Sequence, residues 1–119
     1  MPKWTAAAMQ DSRGELGPFA LSRHRNVVAY LFGYPLQAGR RSVGHNKVLW
    51  IMRLSRRGRP LQLTVRPLHA SRPVVRETLP ADASPGEIYP SYVNVPKAGC
   101  WRVTLNWAGH TDELALRYT

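Results

Sequence analysis

The stretch Val95-Pro96-Lys97-Ala98-Gly99-Cys100-Trp101-Arg102-Val103-Thr104-Leu105-Asn106-Trp107 decides how this chain folds. Side chains in a strand alternate between two faces, so Trp101, Val103, Leu105 and Trp107 point one way and Cys100, Arg102, Thr104 and Asn106 the other. Burying two indoles with a Val and a Leu contributes on the order of 10 kcal/mol before entropy, at about 25 cal/mol per Å2. Pro96 sets the approach of the chain, and Gly99 permits a turn that residues with side chains resist. This strand is expected at the centre of the fold.

Working outward, short runs rich in β-branched and aromatic residues recur between Gly, Pro and Ser clusters, while sustained helical periodicity is hard to find. Strands are expected near Phe19–Leu21, Val27–Phe32, Val48–Leu54, Leu61–Leu68, Val74–Leu79, Tyr92–Val95, Cys100–Trp107 and Leu114–Tyr118. Ten Pro and nine Gly in 119 residues suit many short elements, and the reading is an all-β, two-sheet sandwich of about seven or eight strands. Val48-Leu49-Trp50-Ile51-Met52 is continuously apolar, as expected of a central strand covered on both faces. The turn Ser55-Arg56-Arg57-Gly58-Arg59-Pro60 is expected to close a hairpin onto Leu61–Val65 with a cationic tip. Pro67 cannot donate to a ladder and suggests an edge strand or a bulge. Residues 1–14 are expected to be a flexible lead, and 15–119 a single domain.

Composition bounds the function classes. An apolar share of 44% supports one packed core, and no apolar run approaches the roughly 20 residues that span a bilayer. The start, Met1-Pro2-Lys3-Trp4-Thr5-Ala6-Ala7-Ala8-Met9, lacks a signal-peptide h-region. Cys100 is the sole cysteine, which excludes an internal disulfide and CxxC chemistry. The net charge is +10, with 13 cations against one acid between Arg13 and Arg76.

Three segments carry a resemblance: Val28-Ala29-Tyr30-Leu31-Phe32-Gly33-Tyr34-Pro35-Leu36, Asn46-Lys47-Val48-Leu49-Trp50-Ile51-Met52-Arg53, and Tyr89-Pro90-Ser91-Tyr92-Val93-Asn94 continuing into the strand first quoted. The chain from about Asn26 to Tyr118 resembles a family of small, uncharacterised bacterial domains often carried by secreted proteins or lipoproteins. The resemblance implies an immunoglobulin-like sandwich and a cell-envelope or secreted setting, and supplies no activity. In such domains Pro-x-x-Gly-x-aromatic commonly enters a late strand. Trp101 stands where Tyr is usual, so a tyrosine-corner hydrogen bond cannot be assumed.

No constellation fixes a reaction. Cys100, His110 and Asp112 are the nearest approach to a nucleophilic set, but the strand between them separates thiol and imidazole by roughly 20 Å or more. The expected state of Cys100 is a buried or half-buried thiol. His24, His45, His69 and His110 show no ligand spacing, Asp112 and Glu113 point to opposite faces, and no phosphate-binding glycine motif occurs. No catalytic residue, metal or cofactor is assigned.

Two surfaces remain. Arg40, Arg41, Lys47, Arg56, Arg57 and Arg59 form a candidate anion-binding patch, because clustered arginines attract polyanions by counterion release and bind phosphate or carboxylate in a bidentate manner. Tyr34, Tyr89 and Tyr92 are candidate ligand-surface aromatics. The expectation is a non-catalytic binding or structural module of bacterial origin with a protein or anionic partner; the alternative is polyanion or nucleic-acid binding through the arginines.

Overall fold

The computed structural model describes residues 1–9, 18–39, 45–83 and 85–119. They form one short helix, α1 (Trp4–Met9), and eight strands: β1 (Phe19–Leu21), β2 (Val27–Leu31), β3 (Lys47–Met52), β4 (Leu61–Pro67), β5 (Val75–Leu79), β6 (Ile88–Tyr92), β7 (Gly99–Trp107) and β8 (His110–Tyr118). All strand pairing is antiparallel, in two four-stranded sheets ordered β1-β2-β3-β6 and β5-β4-β7-β8. The two-sheet all-β architecture expected from the alternation is the one observed.

β7 lies between β4 and β8, and Trp101, Val103, Leu105 and Trp107 are all buried. They meet Trp50, Met52 and Tyr89 of the first sheet in the core between the layers. Each buried indole has a partner for its N–H: Trp101 donates to the Lys97 carbonyl at 3.0 Å, Trp107 to the Leu54 carbonyl at 3.2 Å, and Trp50 to the Ser91 hydroxyl at 2.9 Å. A buried N–H left unpaired costs roughly 1–3 kcal/mol, so these contacts fix where each large ring can sit.

β2 and β3 are buried along nearly their whole length, and the second cover is α1. Ala8, with Met1, Trp4 and Met9, packs against Val28, Tyr30, Leu49 and Ile51 on the outer side of the first sheet. Six residues make a marginal helix in water, so packing rather than propensity holds α1 in place. It falls inside the stretch read from sequence as a flexible lead. Residues 10–17 lie outside the described residues.

Three local expectations are corrected. The 53–60 segment does not close a hairpin: β3 and β4 belong to different sheets, and the segment crosses between them. The Arg56 guanidinium pins the crossing, its Nη1 donating to the carbonyls of Ala81 at 2.5 Å and Ile88 at 2.8 Å. Pro67 lies not on an edge strand but at the end of central β4, beyond the last residue that pairs with β5. The strand expected at Tyr92–Val95 runs instead from Ile88 to Tyr92 with Pro90 inside it; β6 is an edge strand, where a missing N–H costs no ladder bond.

The loop ends are tied by buried polar side chains. Asp112 at the start of β8 accepts from Ser22 Oγ at 2.5 Å and from the amides of His24, Asn26 and Glu113, fastening the β1–β2 turn to the second sheet. At the other end Asn46 exchanges two hydrogen bonds with the Gln37 backbone and donates to Asn94.

Candidate functional site

Alternate side chains of each sheet face the core; on the outer side the second sheet faces solvent, whereas the first is partly covered by α1, and the two outer faces differ in chemistry. On the second sheet the outward residues include Arg66 and Thr64 of β4, Arg76 of β5, Arg102 and Thr104 of β7, and Arg117 of β8, of which the four arginines are exposed. The register sets Arg66 directly opposite Arg102, Arg76 opposite Thr64, and Arg117 opposite Cys100. The four arginines thus form a diagonal band crossing every strand of the sheet. Like charges directly opposed across a ladder are destabilising, so the Arg66–Arg102 pair favours an anion between them.

Among the described residues only one acid belongs to this face. Glu113 receives Arg23 Nη1 at 3.2 Å and Arg102 Nε at 3.8 Å, whereas Arg66 makes no ion pair among the described residues. Arg66, Arg102, Thr104 and Glu113 border a cleft of about 210 Å3. Two guanidinium groups and a hydroxyl at such a cleft supply the forked donors that phosphate, sulfate or carboxylate accepts.

The expected anion patch divides. Arg57 and Arg59 are exposed and, with Gln62 and Asn106, border an open depression of about 600 Å3 at the far end of the same face. Arg56 is committed to the fold: besides its two carbonyl bonds, it pairs with Glu87 at 3.4 Å and stacks 5.4 Å from the Tyr89 ring centre. Lys47 begins β3, roughly a strand's length, about 17 Å, from the 53–60 crossing, and sits on the other sheet. Arg40 and Arg41 lie outside the described residues.

The tyrosines divide as well. Tyr89 belongs to the core, fully buried, its hydroxyl donating to the Arg59 carbonyl at 2.7 Å. Tyr34 and Tyr92 are exposed. Tyr92 lies opposite Lys47 on the outer side of the first sheet, and the Lys47 ammonium stands 4.7 Å from the centre of the Phe32 ring. Phe19 and Leu21, also exposed, pair with Tyr30 and Val28 on that side. Aromatic surface and arginine surface therefore occupy opposite sides of the sandwich.

Cys100 is exposed rather than half-buried, because it falls on the outward phase of β7. It stands near the opposite end of the β7–β8 hairpin from His110, which pairs with Trp107, and Asp112 is turned inward, so the structure does not bring these three together. Burial raises the Asp112 carboxyl pKa, but the Ser22 hydroxyl and the amides of His24, Glu113 and Asn26 outweigh it and hold the group below its ordinary range. Burial pushes the Glu77 carboxyl on β5 upward.

The band Arg66, Arg76, Arg102 and Arg117 was not singled out from sequence, although each occupies the polar phase of its strand. Comparison with protein-family models, with curated proteins and with solved structures finds no match to this chain.

Proposed function

We propose that this chain is a non-catalytic, immunoglobulin-like binding module of bacterial origin that takes an anionic partner on the outer face of its second sheet. The observation that carries the reading is the arginine band with its directly opposed Arg66 and Arg102. Strand order supports the immunoglobulin-like part. With β1 set aside, β2, β3 and β6 take the places of strands A, B and E, and β5, β4, β7 and β8 those of C′, C, F and G. The bond from the Trp101 indole to the Lys97 carbonyl, four residues upstream at the entry to β7, supports it further, since it does the work of a tyrosine corner. The bacterial setting and the cell-envelope location follow from the resemblance alone.

Polyglutamate, polyphosphate and a short DNA duplex, titrated at rising ionic strength, test the reading. Affinity for at least one falls steeply with salt, and Arg66→Glu with Arg102→Glu lowers it at least ~10-fold. A salt-independent affinity, or full binding by the double variant, overturns it.

A further inference from the structure

Three shallow cavities adjoin one another at one end of the arginine face, sharing lining residues. Arg72, Pro73 and Lys97 border both the first, of about 700 Å3, and the second, of about 320 Å3. Pro67, Leu68 and Ala70 border both the second and the cleft of about 210 Å3 at Arg66 and Arg102. The cavities thus follow one another as a groove along the 68–74 and 96–99 loops, bordered by one cation pair, Arg72 and Lys97, and by another, Arg66 and Arg102.

Between the cation pairs the lining is mostly apolar, through Pro67, Leu68, Pro73 and Ala98, with the exposed His69 and Cys100 beside them. Arg72 and Lys97 are exposed and make no ion pair among the described residues, and the only described acid in the lining is Glu113, already engaged by Arg23 and Arg102. Among the described residues no exposed Phe, Tyr or Trp ring borders the groove, whose one exposed ring is the His69 imidazole: Trp101 is 1% exposed, and Phe19, Phe32 and Tyr92 lie on the outer side of the other sheet. Successive bases bind through stacking on a row of exposed rings, so charge with a single imidazole suits single-stranded nucleic acid poorly.

We infer that this groove binds an extended acidic peptide segment of a protein partner, with carboxylates at the two cation pairs and small apolar side chains between them. The inference rests on the reading of the second sheet's outer face as the partner surface. Charge complementarity sets the ends, and the apolar middle excludes a uniformly charged polymer from a close fit.

The test uses the whole chain and a fluorescent peptide with glutamates at both ends and Val, Pro and Leu between, beside its glutamine counterpart and polyphosphate. The glutamate peptide binds, the glutamine peptide binds at least ~10-fold more weakly, and Arg72→Glu or Lys97→Glu costs a similar factor, whereas Arg53→Glu, beside α1 and away from both the groove and the arginine band, leaves the affinity unchanged. Bound peptide also slows alkylation of Cys100, which borders the groove, by iodoacetamide. Circular dichroism of each variant confirms folding. If Arg66→Glu with Arg102→Glu abolishes polyphosphate binding while the peptide binds weakly or ignores Arg72→Glu and Lys97→Glu, the groove assignment falls and the anionic-partner reading stands. Polyphosphate binding tighter than the peptide, with equal protection of Cys100, also overturns the peptide assignment. Failure of every probe to bind overturns both.

Discussion

Asp112 stands near the start of β8 with its carboxylate buried and four donors directed at it. Burial raises its pKa and the donors lower it; the donors prevail, so the folded state holds the proton more weakly than the unfolded chain does. The resulting stability is present above the ordinary carboxylate range and is lost as pH falls through the depressed folded value. Asp112→Ala is expected to cost about 3 kcal/mol at neutral pH, read by urea unfolding, with the difference from the parent protein shrinking in acid. A deficit that persists unchanged in acid would show that the charge does not matter. In sequence Asp112 was one member of an unconvincing catalytic set. Its role depends on Ser22, His24 and Asn26, about 90 residues away along the chain.

At the scale of elements, the continuous apolar runs of β2 and β3 predicted two covered faces without saying what covers them. Local sequence determines alternation, and alternation placed seven of the eight strands, with Phe19–Leu21 at its observed bounds, while β6 lies at Ile88–Tyr92 rather than Tyr92–Val95. Which sheet a strand joins is decided by partners far away, so the 53–60 crossing read as a hairpin. The second cover, α1, is short and apolar on one side, a pattern with weak local signal. Removing residues 1–9 is expected to lower stability by ~2 kcal/mol, the loss of apolar burial being partly offset by the ordering entropy of the helix. It also uncovers Val28, Tyr30, Leu49 and Ile51, so binding of the dye ANS should rise. Unchanged unfolding and dye binding would mean that α1 contributes no cover. On β5, the half-buried carboxylate of Glu77 points inward at a sheet edge, an arrangement that discourages edge-to-edge pairing.

Across the whole molecule, 17 cations against 7 acids leave a net charge of +10. Several acids are spent on the fold, Asp112 in the turn network and Glu87 on Arg56, so the arginine band is left with Glu113 alone. Self-repulsion of such a charge opposes compaction and is screened by salt. Raising ionic strength at neutral pH should therefore raise the unfolding temperature while weakening polyanion binding. A melting temperature that falls with salt would show that attractive surface pairs dominate instead.

The sequence by itself determined most of the strands, the core face of β7 and the excess of positive charge, because side-chain alternation and composition are local properties of the chain. Only the tertiary structure decided which arginines act together. Arg66, Arg76, Arg102 and Arg117 come from four strands and meet through ladder register, Arg56 is drawn off by carbonyls of Ala81 and Ile88, and Tyr89 turns inward to fill the core. A surface is assembled from residues distant in the chain, and no local pattern encodes their proximity.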